Sequence, residues 1–90
     1  MTVQLRLFAA ARQTAGRAAD GFSLADAPTL DALLRRAVER YGSDFAAVLD
    51  TSRVWLNGDE PPGGAQQLLA DGDEVAVLPP VSGGDGSFAR

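Results

Sequence analysis

Apolar and polar side chains alternate over the first eight residues, the period of a strand that buries one of its faces. The apolar positions are Val3, Leu5 and Leu7. This pattern predicts a first strand over residues 2–8. A second strand, antiparallel to the first, is predicted over residues 19–25, where Phe22 and Leu24 share one phase. The Ala-rich stretch between them ends at Gly16 and suits a short helical connection.

The clearest element is an amphipathic helix that follows Thr29, a good N-cap residue, and stops before Gly42. Apolar side chains recur along it at spacings of three and four residues. They are Leu30, Leu33, Leu34, Ala37, Val38 and Tyr41. Its outer face carries Asp31, Arg35 and Glu39, four residues apart and of alternating charge, which we interpret as ordinary surface pairing. A second short helix, capped by Ser43, is predicted next.

Two further strands are predicted in the second half of the chain, over residues 53–57 and 74–78. Asn57-Gly58 is a strong signal for a tight hairpin turn, and Pro79-Pro80 stops the last strand. Two strands, a long helix and more strands predict an α+β fold, a mixed sheet with one main helix across one face. The predicted domain covers residues 1–80.

Composition narrows the function classes. Ninety residues suffice for one small core. The chain has neither cysteine nor histidine, so the commonest general base, the most reactive nucleophile and the usual soft metal ligands are missing. We therefore expect a non-enzymatic protein with no bound cofactor or metal. A net charge of −4 and the lack of a dense basic patch argue against nucleic acid or membrane partners and favour a basic protein. With no signal peptide or membrane span in sight, the cytoplasm is the expected location.

Three apolar residues break the alternation by falling in the polar phase of their strands. They are Phe8, Trp55 and Leu78. Phe8 alone is best explained as a strand-end residue that folds back over the edge of the core. Together, if their strands are neighbours, the three would form one exposed apolar patch, the usual mark of a protein-docking surface.

Carboxylates crowd the turn at Asp71, Asp73 and Glu74, with Asp59 and Glu60 elsewhere in the same half of the chain. A calcium loop needs a regular alternation of oxygen ligands, which this spacing lacks. Asp and Gly are common in turns for conformational reasons. We interpret the group as a solvated turn.

The chain after Pro80 is rich in glycine, and the double proline before it cannot extend a sheet. We therefore predict a mobile arm over residues 81–90. Glycines in a tail are by themselves weak evidence for a function. The residues that precede them make the evidence stronger. The run from Leu56 to Glu60 and the block Asp71-Gly72-Asp73-Glu74-Val75 through Gly83-Gly84 resemble the small subunit of molybdopterin synthase and its MoaD/ThiS-like relatives.

This resemblance also covers residues 7–12 and the main helix, and it implies a ubiquitin-like β-grasp sulfur carrier. In that family the first and last strands lie parallel in the middle of the sheet. The C-terminal glycine carboxylate is adenylated with ATP by an E1-like adenylyltransferase, receives sulfur from a sulfurtransferase as a thiocarboxylate, and donates it on a catalytic large subunit. The carrier itself catalyses none of these steps.

Carried onto this chain, the resemblance makes Gly84 the modified terminus. Gly83 and the segment Pro80, Val81 and Ser82 form the arm that is inserted into partners, since glycine lets an extended chain pass a narrow channel. Phe8 and Leu78 match positions that contact the activating enzyme. Trp55 extends that surface by its strand phase, not by the resemblance.

The residues from Asp85 to Arg90 depart from the family, which usually ends at the second glycine. They hold the Gly84 carbonyl in a peptide bond, so we predict cleavage after Gly84, for which a JAMM-type zinc protease is one candidate. Three functions stay open: a carrier for molybdopterin, a carrier for another product such as cysteine, thiazole or a thioacid metabolite, and a ubiquitin-like modifier joined through Gly84 to lysines of target proteins.

Overall fold

The computed structural model describes residues 1–80, which hold four strands and three α-helices. The strands are β1 (Thr2–Leu7), β2 (Ala19–Ser23), β3 (Arg53–Leu56) and β4 (Glu74–Leu78). The helices are α1 (Ala9–Ala15), α2 (Leu30–Tyr41) and α3 (Ser43–Asp50), with a 3-10 turn over Gly64–Gln66. Over this part of the chain no helix is both long and apolar enough to cross a membrane.

The four strands form one mixed sheet in the order β2-β1-β4-β3. β1 pairs with β2 in antiparallel register and with β4 in parallel register, while β3 pairs antiparallel to β4. The first and last strands therefore lie side by side in the centre, as predicted. Together with the helix that follows β2, this order defines the β-grasp fold expected from the sequence.

One face of the sheet is covered by the helices, and the core lies between them. The buried strand residues are Val3, Leu5, Leu7, Phe22, Val75 and Val77. Leu30, Leu33 and Ala37 from α2 and Phe45 from α3 cover them. These buried residues are the apolar positions of the predicted strands and helices. Burial of one face of the sheet fixes the register of each strand.

The ends of α2 follow the predicted capping. The Thr29 hydroxyl accepts a hydrogen bond from the Ala32 amide at 3.1 Å. Gly42 ends the helix with φ of 101°, a conformation that favours glycine. One detail was wrong: Gly42, not Ser43, is also the N-cap of α3.

The Asn57-Gly58 turn forms, but its hairpin does not. Asn57 has φ of 50° and Gly58 of 88°, as a tight turn requires. Leu56 and Asp59 exchange backbone hydrogen bonds at 2.7 and 3.0 Å. The chain after Asp59 then runs as a loop, since β3 pairs with β4 instead.

Asp20 ties β2 to the end of α2. Its carboxylate, only 13% exposed, accepts hydrogen bonds from the Tyr41 hydroxyl at 2.6 Å and the Arg40 guanidinium at 2.8 Å. Arg17 lies 3.3 Å away. Burial alone would raise the pKa of Asp20, but hydrogen bonds from Tyr41, Arg40 and the Gly21 amide together hold it below its ordinary value. Burial and the bond to Asp20 raise the pKa of Tyr41 well above normal.

Asp20→Asn is expected to lower the free energy of unfolding by about 1–3 kcal/mol at pH 7, the usual effect of losing charge-assisted hydrogen bonds. Because the folded-state pKa of Asp20 lies below 3.8, its contribution is complete above the unfolded-state pKa. It is lost as the pH falls through the folded-state pKa. Urea unfolding at pH 7 and in steps below about pH 4 should show the difference between variant and parent shrinking.

The matched control is Asp26→Asn, at an exposed carboxylate. It should change the unfolding free energy by less than about 0.5 kcal/mol. Equal effects of the two substitutions would contradict the role given to Asp20.

Candidate docking surface

The sheet face opposite the helices combines polar edges with an apolar strip. Trp55 and Arg6 both pair with Ala76, from opposite sides of β4, so these three residues form one row across the sheet. In the next row Leu78 pairs with Arg53. Trp55, Ala76 and Leu78 are each partly exposed. Two of the three residues singled out by strand phase therefore lie on neighbouring strands of this outer face.

Phe8 joins the same surface from the end of β1. It follows the Leu7–Val77 pair by one residue, as Leu78 does on β4. Its ring centre lies 6.0 Å from the Arg6 guanidinium, and the residue is 40% exposed. Phe8 therefore does not fold back over the core, which was the preferred interpretation for this residue alone.

The chain turns sharply after Phe8. Phe8 itself is extended and serves as the N-cap of α1, while Ala9 has φ of 49°, a left-handed conformation that is uncommon for alanine. This reversal lets α1 start at once. A local strain of about 1 kcal/mol or more is thus held next to the exposed ring.

We call Phe8, Trp55, Ala76 and Leu78 the outer patch. The sequence pattern places Ala76 in the outward phase with Leu78, but its small side chain gave no reason to count it in the patch. Beyond Leu78, Pro79 is half-buried and Pro80 exposed, so the chain leaves the sheet beside this patch. Apolar groups gathered at one place on a surface are typical of a protein-docking site.

Trp55 also borders a shallow concavity. Glu60, Pro61 and Gly64 line the other side of it, so the loop after β3 lies beside the indole ring. A partly exposed tryptophan next to a concavity is a common feature of binding hot spots, because aromatic side chains bury a large area when a partner covers them.

The acidic turn has a structural explanation. Asp71 accepts a hydrogen bond from the Thr2 amide at 2.8 Å, and Asp73 accepts one from the Ala70 amide at 2.8 Å. The Asn57 side chain donates to Asp73 at 3.0 Å and accepts from the Glu74 amide at 2.9 Å. The turn at Asn57-Gly58 and the turn at residues 71–73, which are separate in the sequence, therefore stabilise each other where β1, β3 and β4 meet. Within residues 1–80 no cluster of three metal-binding side chains occurs.

The remaining predicted site residues lie outside the described part of the chain. These are Val81, Ser82, Gly83 and Gly84, together with the predicted extension 85–90.

The fold and the outer patch define a ubiquitin-like protein. The model of the ThiS family matches residues 5–84, and the chain belongs to that family. A molybdopterin synthase sulfur carrier subunit from Chlamydomonas reinhardtii is 32% identical over 84 residues, which are 93% of this chain and all of that protein.

Solved structures agree with this family. Small archaeal modifier protein 1 from Haloferax volcanii superposes with a TM-score of 0.78 at 25% identity, covering 91% of this chain and 98% of that one. A complex of subunits 1 and 2 of the molybdopterin-converting factor from Helicobacter pylori gives a TM-score of 0.65 at 25% identity, covering 90% and 96%. The chain is a sulfur carrier of the ThiS/MoaD type.

Proposed function

We propose that this protein is the sulfur-carrying small subunit of a molybdopterin synthase, active after residues 85–90 have been removed. The observation that carries the proposal is the extent of the family match, which reaches Gly84 and leaves the last six residues outside. The similar protein from Chlamydomonas reinhardtii is a molybdopterin synthase subunit, which favours molybdopterin over other products as the molecule that receives the sulfur.

The chemistry requires a free carboxylate on Gly84. ATP would convert that carboxylate into an acyl adenylate and release pyrophosphate. The outer sulfur of a sulfurtransferase persulfide would then displace AMP to give an acyl disulfide, and a second thiol would reduce it to the thiocarboxylate while the two thiols leave as a disulfide. The thiocarboxylate sulfur is a soft nucleophile that would be transferred on the large subunit to the small-molecule acceptor, and water would restore the Gly84 carboxylate. This chain supplies the arm and the docking surface, while the E1-like adenylyltransferase and the large subunit supply catalysis.

The position of the outer patch suits this division of labour. Leu78, Pro79 and Pro80 lead directly from the patch into the arm, so a partner that covers the patch also receives the arm. Docking and insertion would then occur together, which holds the reacting terminus in place at a small entropy cost. The Helicobacter complex of two converting-factor subunits supports a large-subunit partner.

A second candidate is a protein modifier joined through Gly84 to lysines of other proteins. The similarity to small archaeal modifier protein 1 favours it. The chain itself contains no lysine, so it has no side-chain amine on which a second copy could be placed. A modifier of this sequence would not form chains linked through its side chains.

Purification of an N-terminally tagged copy from its native cells distinguishes the two. A carrier should co-purify with a large subunit of molybdopterin synthase at near-equal amounts, and denaturation should leave the carrier as a single small species. A ladder of larger, denaturation-resistant adducts without a large subunit would contradict the proposal and support the modifier. A Trp55→Ala copy is the matched control. Loss of this side chain from the outer patch should reduce the amount of large subunit that co-purifies.

A further inference from the structure

β2 is an edge strand of the sheet, and part of its backbone faces away from its neighbour. The order β2-β1-β4-β3 leaves one side of β2 without a paired strand among residues 1–80. On the paired side, the Leu24 amide donates to the Met1 carbonyl at 3.0 Å. Backbone groups in an antiparallel pair alternate in direction from one residue to the next, so those of Ala19, Gly21 and Ser23 point away from β1.

The strand has few of the usual defences of an edge. Free edges are templates for pairing with another chain, and proteins often protect them with lysine, proline or a β-bulge. β2 reads Ala-Asp-Gly-Phe-Ser, and its register with β1 is continuous from Ala19 to Ser23. Its three exposed residues, Ala19, Gly21 and Ser23, are all small, so no bulky side chain on the outer face obstructs a second strand.

The outward groups of Gly21, the central residue of β2, are instead occupied by two side chains. The Gly21 amide donates to Asp20 Oδ1 at 2.9 Å. The Gly21 carbonyl accepts from the Arg40 guanidinium, which reaches it from α2 at 3.3 Å. The same guanidinium donates to Asp20 Oδ2 at 2.8 Å, so one ion pair holds both contacts. An added strand would need these two backbone groups, because it bonds to every second residue of its neighbour.

We infer that the edge of β2 is a latent pairing site for a second copy of this chain, which the Asp20–Arg40 pair keeps closed. A second copy fits because two identical edges can pair antiparallel about a two-fold axis, here with Gly21 opposite Gly21. Such pairing would join two four-stranded sheets into one. This role is separate from the proposed function, because β1 lies between β2 and the strand that leads into the arm.

Opening the edge should turn a monomer into a dimer. The edge variant is Asp20→Ala/Arg40→Met, which removes both contacts to Gly21 and, by losing one charge of each sign, keeps the net charge at −4. Methionine keeps an apolar side chain over Phe22, whose ring centre lies 4.1 Å from the Arg40 guanidinium carbon in the parent. Sedimentation equilibrium of the 90-residue chain should show a monomeric parent. The edge variant should form dimers at least about tenfold more tightly, with a Kd of about 100 µM or less.

Two control variants separate an open edge from a general loss of stability. Tyr41→Phe removes the hydrogen bond that the Tyr41 hydroxyl donates to Asp20 at 2.6 Å, but it keeps both contacts to Gly21. Arg36→Met/Glu39→Ala removes an ion pair of 3.1 Å from the same helix with the same change in charge. Both controls should remain monomeric. Circular dichroism melting checks that every variant is folded.

A third substitution locates the interface of the dimer. Gly21→Lys, added to the edge variant, has open space around its Cβ in the monomer but would place two lysines opposite each other across the paired edges. It should restore the monomer. In the edge variant itself, the outward-facing Ser23 amide should exchange its hydrogen more slowly as the protein concentration rises.

A folded edge variant that stays monomeric would overturn the role given to Asp20 and Arg40. Equal dimerisation of either control, or a dimer that persists after Gly21→Lys, would overturn it as well. If the edge variant does not fold, Arg40→Met alone decides the question, because it frees the Gly21 carbonyl and leaves Asp20 bonded to Tyr41. This single variant should dimerise at least about threefold more tightly than the parent, and no gain over the parent counts against the closed edge.

Discussion

A chain that ends at Gly84 is expected to be adenylated and thiocarboxylated, whereas the chain of 90 residues gives no product above background. The reason is chemical. Only a free carboxylate can attack ATP, and in the longer chain the Gly84 carbonyl is an amide to Asp85. Each form is incubated with the adenylyltransferase, ATP and a sulfurtransferase. Its intact mass then shows whether a thiocarboxylate has formed.

A matched control keeps the free carboxylate but changes its residue. In the chain that ends at position 84, Gly84→Val adds a branched side chain at the point where the arm must pass a narrow channel. Its activation should fall steeply, though its terminus is free. Activation of the 90-residue chain without loss of its last six residues would rule out the requirement for cleavage.

The second large effect is expected at the outer patch. Phe8→Ala/Trp55→Ala should weaken binding to the adenylyltransferase and to the large subunit by about 100-fold or more, since buried aromatic anchors each contribute about 1–3 kcal/mol to an interface. Isothermal titration calorimetry with each partner measures the loss. Thermal melting should be little changed, because Phe8 is 40% exposed and Trp55 lies outside the core.

Leu68→Ala is the control for this pair. Leu68 is 72% exposed and lies on the loop before β4, away from the outer patch. Its truncation removes an apolar side chain that is more exposed than Phe8 or Trp55 and should change affinity by less than about twofold. Equal losses from both changes would show that binding does not depend on the outer patch.

The strands and their buried faces are the clearest success of prediction from the sequence pattern. Alternation of apolar and polar residues predicts β1 and β4 as strands. In the structure the apolar residues Val3, Leu5, Val75 and Val77 are all buried on one face of the sheet. Their parallel pairing came from the family resemblance, since strand periodicity contains no information on which strands are neighbours.

The outer patch was predicted only in part. The phases of Trp55 and Leu78 placed both on the outer face, as the register confirms. Phase also placed Phe8 in the patch when the three residues were considered together, and its ring lies on this face beside Arg6. The left-handed turn at Ala9 that follows it was not predicted, because a run of alanines does not signal such a turn. Ala76 was not counted in the predicted patch because its side chain is small.

Polar contacts between distant segments were the least predictable. Asp20 reads as an ordinary surface residue, yet it accepts hydrogen bonds from Tyr41 and Arg40 twenty residues away. Spacing on α2 suggested that Arg35 pairs with both Asp31 and Glu39. In the structure Arg35 pairs with Asp31 while Glu39 pairs with Arg36, because charges three residues apart also meet on a helix.

Intact-mass analysis of the endogenous protein, isolated without reducing thiols from its native cells, shows whether Gly84 becomes the working terminus. The predicted species lacks Asp85 to Arg90 and has one oxygen of the Gly84 carboxylate replaced by sulfur. Cells that lack the adenylyltransferase should contain the trimmed protein without sulfur. Detection of only the 90-residue chain under every growth condition would contradict the assignment of Gly84 as a latent working terminus.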